Sequence, residues 1–143
     1  MTTHSIGVFA SLFDDDGRIV LVRQTYRGQC WAQPGGRLEP GEAPLDGVLR
    51  EIFEETGYRA EVTGFIGASA SPWRDDLVLH FRARILRREA WTPDDEIADC
   101  ALFPPDALPS PMRTTSRARI ADAVAGRNNV FRTHASLDSY SDL

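Results

Sequence analysis

Glu51, Glu54 and Glu55 are the residues whose type and spacing point most directly to chemistry. At about 100° per residue, positions i, i+3 and i+4 share one flank of a helix, so the three carboxylates would stand side by side. Like charges at i, i+4 on an exposed helix cost about 0.2–0.5 kcal/mol per pair, and more where water is excluded. A hard divalent cation such as Mg²⁺ or Mn²⁺ takes carboxylate oxygens, carbonyls and water, and removes that repulsion. A solvated acidic face is the competing reading of the same spacing.

The residues around the glutamates describe the helix that would carry them. Pro44 suits the first helical position, where its missing N–H would be unpaired anyway. Asp46 puts negative charge in the first turn, where the helix dipole favours it, and Gly57 can end the helix in a left-handed cap. Leu45, Val48, Leu49, Ile52 and Phe53 form an apolar stripe, with the glutamates and the small Gly47 on a different flank. Upstream, Gly35 and Gly36 allow a tight turn and a close approach of backbone to ligand, followed by a Pro40-Gly41 turn.

Read with its spacings, the stretch is Gly36, five residues, Glu42, seven residues, then Arg50-Glu51-Ile52-Phe53-Glu54-Glu55-Thr56-Gly57-Tyr58. It resembles the signature of the Nudix hydrolase family, Gx5Ex7REUxEExGU with U a bulky apolar residue. Tyr58 fills the last U slot, where an aliphatic residue is more usual, which touches packing more than chemistry. Trp31 and Pro34 fit the family's W-x-x-P-G-G lead-in, with Gln33 where an apolar residue is more usual. Outside these segments the resemblance is one of length and order only.

The resemblance implies an α/β protein with the Nudix fold, an α/β/α sandwich around a mixed sheet. It implies hydrolysis of a nucleoside diphosphate linked to another group X, giving a nucleotide and a second phosphate product. A diphosphate repels its nucleophile, so cations must neutralise it as water attacks phosphorus in line. By resemblance, Glu51, Glu54 and Glu55 form the metal shell for Mg²⁺ or Mn²⁺ with the Gly35 carbonyl. Arg50 orients a glutamate through an ion pair, and Glu42, with Gly36 and Gly57, supports the loop–helix junction. Glu51 is a candidate general base, placing it with Glu54 and Arg50 among the catalytic residues. Glu96, in a later acidic loop, is the candidate outside the motif for a further metal ligand or base. Arg23, Gln33, Gly36 and Trp73 are the expected substrate contacts, and Trp73, Tyr26 or Phe9 offers a ring for a base to stack on. Pro72 lies near the place where ADP-ribose hydrolases of the family often carry a proline. ADP-ribose-like compounds and (deoxy)nucleoside triphosphates are the two substrate options. A non-catalytic nucleotide sensor on the same fold is the alternative; degenerate sensors often lose motif glutamates, and all of them stand here.

The rest of the chain must position this motif. With 143 residues it has the length of one domain, read here as residues 1–131 followed by a disordered tail over 132–143. Residues 5–13 and 18–24 are apolar runs joined by Asp14-Asp15-Asp16-Gly17, a hairpin signal whose aspartates guard the turn. Ile19 to Val22 shows no alternation, so both faces of that strand should be covered. Residues 59–71 read as a strand bent at Gly64 and Gly67. Residues 77–86 alternate, leaving His80, Arg82 and Arg84 on a face that meets solvent or a phosphate. A short strand at 98–103 follows, then a helix over 114–125 capped by Thr or Ser, with Ile120, Ala121, Val124 and Ala125 packing on the sheet.

The formal net charge of −5 argues against a general nucleic-acid surface, so no stable nucleic-acid partner is expected beyond a small nucleotide. Cys30 and Cys100 lack any paired spacing and read as buried free thiols. With no leader-like segment and no run of about 18 apolar residues, a cytoplasmic monomer or homodimer is expected.

Overall fold

A computed structural model of the chain describes residues 3–135. In chain order the elements are β1 (Ser5–Phe13), β2 (Ile19–Gln24), β3 (Trp31–Ala32), β4 (Gly35–Arg37), α1 (Pro44–Thr56), β5 (Tyr58–Ser71), β6 (Asp76–Arg88), β7 (Ile97–Phe103), α2 (Thr114–Val124) and β8 (Val130–Thr133). The strands join one mixed sheet in the order β3-β2-β1-β6-β5-β8, with β4 paired to β1 and β7 to β2. β1 runs parallel to β6 and β5 parallel to β8, while the β5–β6, β1–β4 and β2–β7 pairs are antiparallel. The expected mixed sheet covered by helices is therefore present.

Alternation along β1 and β2 divides the core. Val8, Ala10, Leu12 and Val20 point to one side, where Val48 and Ile52 of α1 meet them. Ile19 and Leu21 point to the other and pack with Trp31, Met112 and Ile120 of α2. Residues 19–22 are thus buried on both faces, as their unbroken apolar run predicts. Asp14 accepts backbone N–H bonds from Asp16 and Arg18, so the acidic hairpin is a turn holding itself together.

α1 begins at Pro44 and ends at Gly57, whose φ of 76° forms the left-handed cap, its N–H donating to the Phe53 carbonyl. Its apolar stripe is narrower than the sequence suggests. Val48 and Ile52 are fully buried, but Leu45 in the first turn is 51% exposed. β5 is one long strand whose pairing with β6 shifts near Gly64 and Gly67. At Gly67 a β-carbon would lie 2.0 Å from the Val130 carbonyl oxygen, so only glycine lets β8 approach there.

α2 departs from expectation. Arg113 precedes its first turn without a side-chain cap bond. Its buried face is polar, with Thr115, Ser116, Arg119 and Asp122 beside Ile120 and Ala123, whereas Val124 is exposed. The reason lies beneath it: α2 covers the sheet face that carries Ser11 and His80. The Asp122 carboxylate takes Arg127 at 2.9 Å and Arg132 at 2.7 Å, tying β8 to the helix. β8 therefore carries the sheet past residue 131, where the sequence reading closes the domain. Residues 136–143 of the expected tail lie outside those described.

His80 is neither solvated nor free to meet a phosphate. Only 3% exposed, it shares a 2.9 Å hydrogen bond with the Ser11 hydroxyl. Burial, helped by the nearby Arg119 charge, pushes its pKa down to about 3. The folded chain keeps the ring neutral, while the unfolded chain protonates it near 6.5. The ring is then neutral in both states above that pH, and protons bind preferentially to the unfolded chain below it. Stability should fall by up to about 1.4 kcal/mol per pH unit as the pH drops from 6.5, levelling off near 3. The advantage of wild type over His80→Gln in urea unfolding should accordingly shrink between pH 7 and pH 5. A gap independent of pH would contradict a buried neutral ring.

Candidate active site

The motif helix and α2 lie on opposite sides of the sheet, and between their ends opens a cleft of about 370 Å³. One wall is acidic. Glu51 and Glu55 of α1 reach it past β4, together with Glu96 from the loop before β7. The two glycines of β4 make this possible. A β-carbon on Gly36 would lie 2.6 Å from a Glu51 carboxylate oxygen, and one on Gly35 would lie 2.3 Å from the Val8 carbonyl oxygen. The Gly35 N–H donates to Glu55 at 3.1 Å, fixing that carboxylate against the strand.

Burial raises the Glu55 carboxyl well above its usual range, and the charges of Glu51, Glu96 and Asp94 push the same way. Glu51 is raised too, chiefly by burial, with Arg50 pulling it back. Tyr26 at the cleft mouth is pushed up by burial and by the Glu55 charge. Repulsion within the acidic wall is therefore only partly relieved by protein groups.

Arg50 is the main relieving charge. Its guanidinium grips Glu42 with two bonds, at 2.7 and 2.9 Å, and reaches Glu51 at 3.1 Å and Glu54 at 3.2 Å. The Arg50 hydrogen bonds hold the Glu42 carboxyl down at about 2, and Glu42 in turn raises the Arg50 pKa. Glu42 also accepts the Glu39 N–H, which anchors the loop ahead of α1. Gly47 belongs to this junction, since a β-carbon there would lie 2.4 Å from the Leu38 side chain and 2.9 Å from Glu42.

Glu96 owes its place to the loop between β6 and β7. Asp94 accepts the N–H groups of Glu96 and Ile97, both at 2.8 Å, and the Thr25 N–H donates to the Glu96 carbonyl at 2.9 Å. Trp91 donates from its indole to the Glu54 carbonyl at 3.0 Å, fastening the loop to the end of α1.

Not every expected residue reaches the cleft. Glu54 lies outside its lining, half exposed and held by Arg50. Arg23 is outside the lining and bonds to the Gln29 carbonyl and side chain, both at 3.3 Å. Gln33 is 1% exposed behind the lining, its amide facing the Ser116 carbonyl at 3.5 Å. Trp73 is 43% exposed beside Arg74 and is not part of the cleft lining, whereas Tyr26 and Phe9 are. Cys30 is buried and free, while Cys100 is only half-buried, its thiol pushed up to about 11 by burial.

The opposite wall is basic and polar, and the motif gives no hint of it. Arg74 and Arg113 join Thr115, Ser116 and Arg119 there, above a floor of Gly7, Phe9 and Val78, while Arg37 enters the lining from β4 beside the two glycines. The sequence does hold a signal for the α2 part. Thr115, Ser116, Arg119 and Asp122 recur at helical spacing, so α2 has a polar inner face.

The donor set suits a hard cation by its chemistry. Glu51, Glu55 and Glu96 face one cleft beside Gly35, with negative charge that protein groups only partly relieve. As they stand, no three acidic, His or Cys side chains among the described residues are drawn together as a finished metal cage.

Comparison with known proteins agrees with this geometry. The family model described as "NUDIX domain" matches residues 3–124. A "MutT-like protein" of Streptomyces ambofaciens is 33% identical over 131 residues, covering 92% of this chain and 84% of that protein. A "Putative 8-oxo-dGTP diphosphatase" of Bacillus subtilis (strain 168) is 32% identical over 124 residues, covering 87% and 83%. Among solved structures, a NUDIX hydrolase from Nitrosomonas europaea superposes with a TM-score of 0.82 at 17% identity, covering 95% of this chain and 81% of its own.

Proposed function

Because the chain belongs to the Nudix hydrolase family and is a Nudix pyrophosphohydrolase, we propose that it hydrolyses (deoxy)nucleoside triphosphates or similar nucleoside diphosphate derivatives in the cytoplasm, aided by Mg²⁺ or Mn²⁺. The observation that carries this reading is the pairing of two walls in one cleft. Carboxylates face arginines across a space suited to a polyphosphate with a nucleoside attached.

Glu51, Glu55 and Glu96, with the Gly35 carbonyl, are the residues that would hold the cation. When bound, it neutralises the diphosphate and polarises the phosphorus under attack. The protein's own groups do the remainder. Arg37 and Arg113 bind phosphate oxygens and hold the chain in line. Water attacks phosphorus, the bridging P–O bond breaks, and the proton passes to Glu51. Glu51 lines the cleft with its carboxylate held by Arg50 at 3.1 Å, which sets an acceptor for that proton beside the phosphates. Arg50 keeps Glu51 aimed, and Glu54 supports Arg50 from outside the cleft.

Compactness favours a triphosphate over a longer substrate, and the relative named as a diphosphatase of a deoxynucleoside triphosphate supports the same choice. The complete set of motif carboxylates supports an enzyme over a sensor. The test is turnover of (d)NTPs, ADP-ribose, NADH, a dinucleoside polyphosphate and a nucleotide sugar with Mg²⁺ or Mn²⁺, with Glu55→Gln as blank. A triphosphate far ahead of the others and silent in the blank is the expected result. Nucleotide binding without turnover of any compound would overturn the hydrolytic reading.

A further inference from the structure

Glu96 stands on an exposed loop, and the charges of Glu51 and Glu55 face it across the acidic wall. Like charge therefore drives its side chain outward, and some protein group must offset that before a cation arrives. Within the loop, the Asp94 carboxylate takes the N–H groups of Glu96 and Ile97 at 2.8 Å, and the Asp94 N–H donates to the Ile97 carbonyl at 3.0 Å. These bonds join the loop to itself and give it a shape. Where Glu96 points is set by a second tie, to the end of β2.

β7 pairs with β2 in regular register from Phe103 to Asp99, and there the register slips. Arg23 lies opposite Asp99 and Gln24 opposite Ile97, so Ala98 is an extra residue that bends β7 next to the Glu96 loop. Beyond the bulge, Gln24 and Tyr26 line the cleft, while Thr25 between them does not. Thr25 turns to the loop instead. Its N–H donates to the Glu96 carbonyl at 2.9 Å, and its hydroxyl donates to the Asp95 carbonyl at 2.6 Å, with the Glu96 carbonyl 3.2 Å from the same hydroxyl. One residue thus grips the two carbonyls on either side of the Glu96 α-carbon. Because each peptide unit is a rigid plane, holding both planes fixes the direction in which the side chain leaves the backbone. A threonine suits the task, since its branched β-carbon restricts χ1 and keeps the hydroxyl in place.

Building on the hydrolase reading, we propose that Thr25 is a positioning residue for the reaction, latching the main chain on both sides of Glu96 so that this carboxylate is presented to the cation against the repulsion of Glu51 and Glu55. Thr25 acts only through Glu96. Valine in its place keeps the branched shape and the N–H tie and deletes the hydroxyl alone.

The experiment counts free Mn²⁺ by electron paramagnetic resonance as it is titrated into the full chain without nucleotide. The same proteins are then compared for nucleotide KM and Mn²⁺ dependence on whichever triphosphate wild type turns over fastest. They are wild type, Thr25→Val, Thr25→Ser, Glu96→Gln and the double variant Thr25→Val/Glu96→Gln. Thr25→Val should raise the Kd for Mn²⁺ by about 3–10-fold, the range expected for one lost hydrogen bond, and leave nucleotide KM unchanged. Thr25→Ser keeps the hydroxyl and should restore wild-type binding. In the Glu96→Gln background Thr25→Val should add nothing, because the carboxylate it presents is gone. Thermal melts check folding, and Thr25→Ala makes the same deletion should the valine variant not fold. An unchanged Kd in the folded variant, or an equal loss in the Glu96→Gln background, overturns the inference and leaves the hydrolase reading standing. No Mn²⁺ bound by wild type overturns it too, since Glu96 would then be presented to nothing. Mn²⁺ binding without turnover of any triphosphate counts against the hydrolase reading, and the binding comparison still decides whether Thr25 holds Glu96.

Discussion

Glu55→Gln should lower kcat by at least about 100-fold and, in the same protein, raise Tm by a few degrees. Both effects have one cause. Glu55 is buried at the acidic wall, and its carboxyl is raised by burial and by neighbouring carboxylates, with only the Gly35 N–H acting against them. A raised folded-state pKa means that the ionised form is disfavoured on folding. Its contribution to stability is fully present below the unfolded value of 4.5 and is lost as pH rises through the folded value. At neutral pH the wild type therefore carries an unrelieved charge that glutamine removes, while the glutamine oxygen can still accept from Gly35. The Tm gain should be large at pH 8 and vanish by pH 4. The activity loss follows because an amide is a weak ligand for a hard cation and leaves one fewer charge facing it, and removing one preorganised electrostatic contact typically costs 10²–10³-fold. Glu54→Gln separates the two effects: it too should lose activity, through Arg50, but Glu54 is exposed, so Tm should not rise. A Glu55→Gln protein that turns over normally would remove Glu55 from the site. One that melts lower at pH 8 would refute the stored repulsion.

Arg50→Lys should reduce kcat/KM by about 10–100-fold and lower Tm, despite keeping the positive charge. The guanidinium makes two parallel bonds to Glu42 and further bonds to Glu51, Glu54 and the Arg37 carbonyl. An ammonium group can hold one carboxylate well but cannot span that set. Released from its partner, Glu51 would lose its orientation at the cleft, and Glu42 would lose its hold on the loop at Glu39. The kinetic loss should fall mainly on kcat, since Arg50 does not line the cleft itself. Full activity in Arg50→Lys would mean that charge alone suffices and that the fork has no positioning role.

Local chemistry made much of this protein legible in its sequence. Pro44 and Gly57 set the ends of α1 because backbone geometry at those positions depends on little else. The unbroken apolar run 19–22 announced a strand with helices on both faces, and the spacing of Glu51 and Glu55 put both carboxylates on the cleft side of α1. Gly35 and Gly36 were readable as sites of close approach, and the structure shows what approaches them.

The tertiary structure decided which polar residues are functional surface and which are interior. His80 and Arg82 alternate like a solvated face, yet α2 lies over that face; His80 is buried and Arg82 donates to the Ala123 carbonyl. Gln33, Arg23 and Trp73 all lie near the cleft in sequence terms, but Gln33 is buried behind the lining, Arg23 bonds to Gln29 and Trp73 sits exposed beside Arg74. Conversely, Arg119 is far from the motif in the chain and becomes part of the cleft only because β1 and β6 pair in parallel beneath α2. Helix ends, turns and strand burial follow from neighbours in sequence, and Glu51 and Glu55 sit within one helix, so the chain itself determined their common side. The wall that faces them is assembled from α2 and three separate strands or loops, and contacts of that range are fixed only when the sheet closes.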